Sequence, residues 1–203
     1  MKKIVSILLV ALLTLSLAAC GSKNTDGQDD KKPNDQNVTE TKDPGSVQNA
    51  LELLTTVWDS HTEDEKFPSA GGDMSEENMA TGAPGKFAVT DTEALDATLG
   101  FPAASAEKID DAASLVHMMN ANTFTCGAFH VANSDDVADI ATALKDHIMQ
   151  RQWLCGFPDK LVIITAGDYV ISVFGASDFV DTFQAKLTAV YPSAKVICDE
   201  PIA

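Results

Sequence analysis

Basic residues are scarce in this 203-residue sequence, and their scarcity excludes several classes of function. The chain has 14 lysines and arginines against 30 aspartates and glutamates, which gives a formal charge of −16. Nucleic-acid binding needs clustered lysine and arginine to neutralise phosphates, and binding to anionic lipid head groups needs a similar surface. We therefore expect no nucleic-acid partner, and we take the acidity as a feature that keeps the domain soluble and off the membrane surface.

Sequence motifs of catalysis are also missing. The chain contains no phosphate-binding loop, no GxSxG or HExxH pattern, no GxGxxG that opens a helix, and no CxxC pair. The predicted function is therefore non-enzymatic, with no cofactor and no metal. One alternative is a thiol- or metal-dependent enzyme that uses Cys126 with His117 or His130. If Met119 pairs with Phe124 across a hairpin, His117 faces Cys126.

Long hydrophobic runs are limited to one, at the N-terminus. Met1–Lys3 is basic, and the apolar run from Ile4 to Leu17 is shorter than the ~20 residues that a membrane-spanning helix needs. Ala18, Ala19 and Cys20 follow, which completes the three-part layout of a secretory signal. The run Leu-Ala-Ala-Cys resembles the bacterial lipobox, whose cysteine thiol receives a diacylglycerol. We predict a lipoprotein signal peptide at residues 1–19 and lipidation, by acyl chains such as palmitate, at Cys20.

Residues 20–46 have almost no apolar content after the lipidated cysteine. Between Gly21 and Ser46 there is no aromatic residue, and Val38 is the single aliphatic one. Such a composition cannot bury enough apolar surface to offset the entropy of ordering, so we predict a disordered tether with an r.m.s. span of about 30 Å. The predicted location is the extracytoplasmic face of the cell membrane, with attachment through the lipidated N-terminus.

Residues 47–106 form the helical and loop-rich first part of the predicted domain. Apolar residues recur at helical spacing over 47–58 and Ser46 precedes them as a cap, which indicates an amphipathic helix. Residues 67–86 are rich in glycine, proline, serine and aspartate, and we expect a long loop there. The remaining elements of this part are a short strand at 87–89 and a short helix at 92–99.

Residues 107–203 form the predicted α+β core. Two runs, 114–119 and 124–132, predict a hairpin, although the first also fits the end of a helix that begins near Glu107. Further elements are a helix from Ser134 to about Gln152, a hairpin of 160–165 and 169–175, a helix from Ser177 ended by Pro192, and a strand at 194–198. From Phe124 the order is β-α-β-β-α-β, the ferredoxin-like split arrangement, with an added N-terminal helix and a possible extra hairpin strand.

The ferredoxin-like arrangement has two consequences. Its right-handed crossovers place both helices on one face of the sheet, and its first and last strands are neighbours, so that Cys126 and Cys198 could form a disulfide. With Cys155 these make three cysteines after Cys20, and we take small buried thiols as the default. The hairpin at 160–175 is apolar on both sides. Either the 47–58 helix covers the second face, or that face is exposed for a partner.

Three short motifs carry a resemblance to a known family. They are Arg151-Gln152-Trp153, the segment 156–160 (GFPDK) and the turn 167–170 (GDYV). Over about 95–202 the chain resembles uncharacterised lipoproteins of anaerobic Gram-positive bacteria with a C-terminal domain of unknown function, some of which are labelled bacteriocin transport accessory protein. The resemblance implies a shared fold and an envelope location, and it transfers no catalytic residue.

Aromatic residues near these motifs are the candidates for a binding site. Trp153, Phe157 and Tyr169 could flank an open groove for a protein, a peptide or a small ligand of the envelope. The sequence thus favours a membrane-anchored binding or accessory module.

Overall fold

A computed structural model describes residues 41–154 and 156–202, which belong to one compact unit with an α+β fold. The predicted signal peptide, Cys20 and Cys155 lie outside the described residues. The helices are α1 (Ala50–Asp59), α2 (Thr92–Leu99), α3 (Val137–Met149) and α4 (Ser177–Val190). The strands are β1 (Ser69–Gly71), β2 (Ala80–Thr81), β3 (Gly85–Phe87), β4 (Ile109–His117), β5 (Phe124–Val131), β6 (Lys160–Ala166), β7 (Tyr169–Gly175) and β8 (Lys195–Pro201). No helix in this described part is both long and apolar enough to cross a bilayer.

All eight strands join one antiparallel sheet, in the order β2-β1-β4-β5-β7-β6-β8, with β3 also paired to β4. The predicted hairpin around Asn120 is therefore confirmed. The alternative of a helix beginning near Glu107 is wrong, because the chain makes only a 3-10 turn at Ala103–Lys108 before β4. Strand β4 has partners on both edges, β5 on one side and β1 and β3 on the other. The two predicted parts, 47–106 and 107–203, thus share one sheet.

The ferredoxin-like strand order is not the order observed. That order needs β8 beside β5, but β4 occupies this edge of β5 and β8 pairs with β6 instead. Two strands, β7 and β6, then separate Cys126 on β5 from Cys198 on β8. Three strand spacings amount to roughly 14 Å, and the two side chains also belong to different core clusters. A disulfide between them is therefore excluded, and both are free buried thiols, as the default interpretation predicts for these two residues.

The position of β8 also decides where the helices lie. Helix α3 connects β5 to β6 and helix α4 connects β7 to β8, and both connections step across the sheet in the same direction. Because β5 and β7 are antiparallel, right-handed connections of this kind place the two helices on opposite faces. The prediction that both helices cover one face is therefore wrong.

The hairpin of β6 and β7 is apolar on both sides because each side has its own helical layer. Val162 and Ile164 join the cluster with α1 and α4, and Leu161 and Ile163 join the cluster with α2 and α3. The predicted helix at 47–58 is present as α1, but it shares its face with α4. Strands β6 and β7 are covered by helices on both faces. The architecture is therefore a three-layer sandwich, with the sheet between two helical layers.

The end of the predicted tether is part of the fold. The backbone N–H of Lys42 donates to the carbonyl of Val190 at 2.7 Å, and Asp43 caps a 3-10 turn in which Pro44 is buried. Helix α1 begins later than the sequence predicts, because Asn49 and not Ser46 caps it, with its Oδ1 accepting from the Glu52 N–H at 2.8 Å. The chain therefore enters the domain beside the C-terminal end of α4.

Residues 67–86 contain the three short strands β1–β3 where the sequence predicts a loop. They follow from close backbone packing, since a Cβ atom on Gly71 would lie 2.1 Å from the backbone nitrogen of Gly85. The hydroxyl of Ser114 on β4 fixes Gly72 on both sides, accepting from its N–H at 2.9 Å and donating to its carbonyl at 3.2 Å. Glycine permits close contact between neighbouring backbones here. From composition alone, the same glycines indicate a loop.

The bend that follows β1 is organised around Asp73. Its carboxylate accepts from the backbone N–H of Ser75 at 3.1 Å and of Ala88 at 3.0 Å, and from Asn78 Nδ2 at 2.7 Å. Partial burial raises the pKa of Asp73, but hydrogen bonds from these residues and from the Ser75 hydroxyl outweigh it and lower the pKa to about 2. The carboxylate therefore stays ionised at neutral pH and holds this segment in place.

Acidification is expected to destabilise the protein through His61. This side chain is 5% exposed, its Nδ1 lies 2.9 Å from the Val57 carbonyl oxygen, and its ring lies 5.0 Å from that of Trp58. Burial lowers the pKa of His61 below the ordinary 6.5; Lys186 lowers it further and Glu65 partly offsets this. The unfolded chain then binds a proton that the folded chain does not, so stability falls as the pH drops below 6.5.

Urea unfolding of the wild type and of His61→Gln at a series of pH values measures this contribution. The wild type should lose more stability than the variant between about pH 7 and pH 5, since glutamine does not titrate. Parallel curves for the two proteins would show that His61 makes no such contribution.

Candidate functional site

Exposed apolar side chains gather at one end of the sheet, where the turn between β4 and β5 meets the segment between α3 and β6. We call this the end surface and define it as residues 118–122, 151–154 and 156–157. Met119, Leu154 and Phe157 are 79%, 91% and 71% exposed. Exposed apolar patches of sufficient size are candidates for interaction sites, and the end surface is such a candidate.

A depression of about 270 Å³ lies within the end surface, lined by Asn120, Asn122 and residues 151–154. The turn is held to the facing segment by Asn122 Nδ2, which donates to the Gly156 carbonyl at 3.0 Å. Within the turn, Asn120 Oδ1 accepts from the Asn122 N–H at 2.9 Å. Hydrogen bonds thus fix the two walls of the depression relative to each other.

Arg151, the only arginine in the sequence, lies in one wall of the depression. Its Nη2 donates to the Ala97 carbonyl at the end of α2, and its guanidinium lies 5.2 Å from the ring centre of Trp153. Its Nη1 is buried and has no hydrogen-bond partner among the described residues. Burial lowers the pKa of Arg151, and the nearby Asp96, whose Oδ1 also lies 2.7 Å from His147 Nε2, offsets this in part.

Trp153 adds a second N–H donor to the same wall. Its ring packs on Phe174 of β7 with 5.3 Å between ring centres, so the indole is anchored to the core. Its Nε1 is buried and, like Arg151 Nη1, has no partner within the part of the chain that the structure describes. Buried donors without partners are rare in folded proteins because each one costs free energy. Both atoms are closed off by the surrounding side chains and backbone, so neither is open to a group in the depression.

The three aromatic residues predicted to flank a groove do not lie together. Trp153 and Phe157 belong to the end surface, but Tyr169 is at the opposite end of β7 and is packed 4.9 Å from the ring of His130. Burial, followed by the charges of nearby acidic residues, raises the pKa of Tyr169 to about 12, as expected of a core phenol. The predicted groove of all three residues is therefore wrong.

The turn residues of the end surface were absent from the sequence prediction. Asn120 and Asn122 line the same depression as Trp153 because β5 and β7 align the ends of their strands, with Phe124 paired to Gly175. In the sequence, the two adjacent methionines before an Asn-Ala-Asn turn could have indicated this surface. Methionines exposed at a turn are typical of adaptable binding surfaces.

The residues of the enzyme alternative are not brought together as that alternative requires. The register places Leu115, not His117, opposite Cys126, and His117 stacks on Phe67 at 5.4 Å. His130 Nδ1 lies 2.5 Å from Asp110 Oδ1, four positions along β5 from Cys126. Across residues 41–154 and 156–202, no group of three or more potential ligands could hold a metal ion.

Cys126 is expected to be unreactive in the folded protein. Its side chain is fully buried, and burial raises the pKa of the thiol, so the nucleophilic thiolate is suppressed. A disulfide-exchange reagent should titrate the same number of thiols in wild type and Cys126→Ser under native conditions, and one fewer in the variant under urea. A native difference of one fast-reacting thiol would contradict the buried position.

A second depression, of about 300 Å³, lies beside β3 and is lined in part by Glu77, Asp110 and Asp111. Two of its acidic groups already have structural partners. Asp111 Oδ2 accepts from the Ala50 N–H at 2.7 Å, and Asp110 is paired with His130. This depression therefore offers fewer uncommitted groups than the end surface.

Comparisons with models of protein families, with curated proteins and with solved structures found no match to this chain.

Proposed function

We propose that this protein is a non-enzymatic, lipid-anchored binding module on the extracytoplasmic face of the cell membrane, and that it binds peptide segments at the end surface. The observation that carries the proposal is the exposure of Leu154 and Phe157 beside a depression that Leu154 helps to line. Apolar contact supplies affinity at such a site, and a few placed polar groups supply orientation.

The direction from which the chain enters the domain supports the proposal. Lys42 contacts Val190 at the end of α4, beside the start of β8 and the turn between β6 and β7. The end surface is at the other end of the sheet, separated by the length of β5, which is about 24 Å for the seven steps from Phe124 to Val131. The tether therefore joins the domain at the end of the sheet opposite the end surface.

The acidity of the chain supports the same arrangement. A formal charge of −16 repels anionic lipid head groups, so the domain is not drawn down onto the membrane by its own surface. The apolar side chains at the end surface are then available to a partner in the extracytoplasmic space.

A double substitution at the end surface tests the proposal. Leu154→Ser with Phe157→Ser removes two exposed apolar side chains and should leave the folded domain intact, since neither belongs to a core cluster. On an array of short peptides of varied sequence, the purified wild type should bind a defined subset. We expect the double variant to bind that subset about tenfold or more weakly, because each lost contact contributes 1 kcal/mol or more.

The matched control is Val196→Ser with Ile197→Ser on the edge strand β8. These side chains are also exposed, but they lie outside the end surface. The control should retain the peptide subset of the wild type. Equal binding by the wild type and the end-surface variant would contradict the proposal.

A further inference from the structure

Methionine side chains are exposed at most of their positions in this protein. Five methionines lie within residues 41–154 and 156–202, and four of them are at least 48% exposed. Methionine is usually among the buried residues, because its side chain is apolar. Met119 is 79% exposed and Met118 is 48% exposed, and these two neighbours belong to the turn of the end surface.

The thiols of the described residues are buried, in contrast to these thioethers. Cys126 is 0% exposed and Cys198 is 5% exposed. Burial, followed by the charge of Glu200, raises the pKa of Cys198 to about 11, so little of the reactive thiolate is present at neutral pH. A thioether carries no proton and needs only to be reached by the oxidant. In the part of the chain that the structure describes, an oxidant in solution therefore meets the exposed methionines before either thiol.

We propose that a hydroperoxide weakens peptide docking by oxidising Met119 and Met118, an inference that rests on the proposed function of the end surface. A lone pair on the thioether sulfur attacks one peroxide oxygen, so that an S–O bond forms and the O–O bond breaks. The proton on the attacked oxygen passes to the departing oxygen, which leaves as water or, from an alkyl hydroperoxide, as an alcohol. The sulfur loses two electrons and becomes a polar sulfoxide in place of an apolar group.

The position of the two methionines connects this oxidation to docking. Met119 precedes Asn120, and Asn120 lines the depression together with Leu154. Asn122 Nδ2 joins the same turn to the carbonyl of Gly156 at 3.0 Å. A partner that covers Leu154 therefore approaches the turn as well. A sulfoxide there must lose its water when the partner binds, and this costs binding free energy.

Oxidation at these positions should leave the fold intact. Neither side chain belongs to a core cluster, whereas Met149 packs on the cluster of α2 and α3. The turn is held through backbone atoms, since the N–H of Met118 donates to the Pro68 carbonyl at 2.9 Å and the N–H of Met119 donates to His117 Nδ1 at 3.2 Å. A sulfoxide alters neither donor. The expected effect is therefore local to docking, and reduction of the sulfoxide reverses it.

The test treats the purified protein with hydrogen peroxide, locates the added oxygen at each methionine by mass spectrometry, and repeats the peptide array. We expect oxidation of the wild type at Met118 and Met119. Its binding of the peptide subset should then be about tenfold weaker, the effect expected when a polar group is covered without a partner. Methionine sulfoxide reductases of both stereospecificities should restore binding.

Two leucine variants assign the effect, with each protein compared with itself before and after peroxide. Met118→Leu with Met119→Leu keeps apolar side chains but has no oxidisable sulfur in the turn, so its binding should not fall on treatment. Met74→Leu with Met79→Leu is the matched control. Met74 and Met79 are 78% and 52% exposed but lie outside the end surface, so this control should lose binding on treatment as the wild type does.

The outcomes separate this inference from the proposed function. Peroxide that oxidises Met74 but leaves Met119 unmodified would overturn the inference, and so would unchanged binding by the oxidised wild type. An equal fall in binding for the variant that lacks Met118 and Met119 would also overturn it. All three results leave peptide binding by the untreated protein standing. Absence of any bound subset before treatment would instead overturn both the proposed function and the inference that rests on it.

Discussion

Replacing Gly71 with alanine is expected to lower the free energy of unfolding by about 3 kcal/mol or more, at the upper end of overpacking effects. The added Cβ would lie 2.1 Å from Gly85 N and 2.5 Å from both the Pro84 carbonyl carbon and the Ser114 carbonyl oxygen. All three are backbone atoms, so no side chain can rotate away. Strands β1 and β3 must separate from β4, and the bend around Asp73 loses its support.

Urea unfolding of the variant and of Gly45→Ala tests this expectation. Gly45 is the control because the nearest contact of its added Cβ is the exposed carboxylate of Asp43, at an ordinary van der Waals distance of 3.5 Å. We expect the control to change stability by less than about 0.5 kcal/mol. An equal midpoint for Gly71→Ala and the wild type would show that residues 67–86 are not packed on β4 as described.

Replacing Cys20 with serine is expected to move the protein almost entirely from the membrane fraction to the soluble fraction. Each acyl CH₂ buried in the bilayer contributes about 0.8 kcal/mol, and two chains together give stable anchoring. Serine has no thiol to receive the diacylglycerol. In the proposed arrangement, membrane attachment therefore depends on this residue.

Fractionation of cells that express the wild type, Cys20→Ser and Cys126→Ser measures the effect. Cys126 is the control because its thiol is buried in the sheet, away from any acylating enzyme. The control should stay in the membrane fraction with the wild type. Retention of Cys20→Ser in the membrane would contradict the proposed lipid anchor.

The fold class and most of the elements could be predicted from periodicity, but the strand order could not. The pattern from Phe124 onward fits a ferredoxin-like unit, and its strands and helices are present. The deciding contact is between β4 and β5, a hairpin that the sequence supports, yet pattern alone does not say that β4 excludes β8 from that edge. Once β8 pairs with β6, the placement of α3 and α4 on opposite faces follows from handedness.

The candidate site was predictable only in part, because its walls come from distant parts of the chain. Trp153 and Phe157 stand out as aromatic residues in a segment rich in turn signals, and both lie at the end surface. Tyr169 is also an aromatic residue beside a turn, but it begins β7 and its side chain belongs to the core. Asn120 and Asn122 join the site through the sheet register, and the unpartnered atoms of Arg151 and Trp153 are visible only in three dimensions.

The central claim is that the end surface is where a partner docks, and site-specific photo-crosslinking tests it most directly. A photoreactive amino acid would be placed at Leu154 and, in a separate protein, at Ile197 on the edge strand β8, with both proteins membrane-attached in cells. We predict a discrete adduct from position 154 that a peptide from the bound subset abolishes when added as a competitor, and no such adduct from position 197. An adduct from position 197 alone would contradict docking at the end surface. So would the same adducts from both positions, if the competitor changed neither.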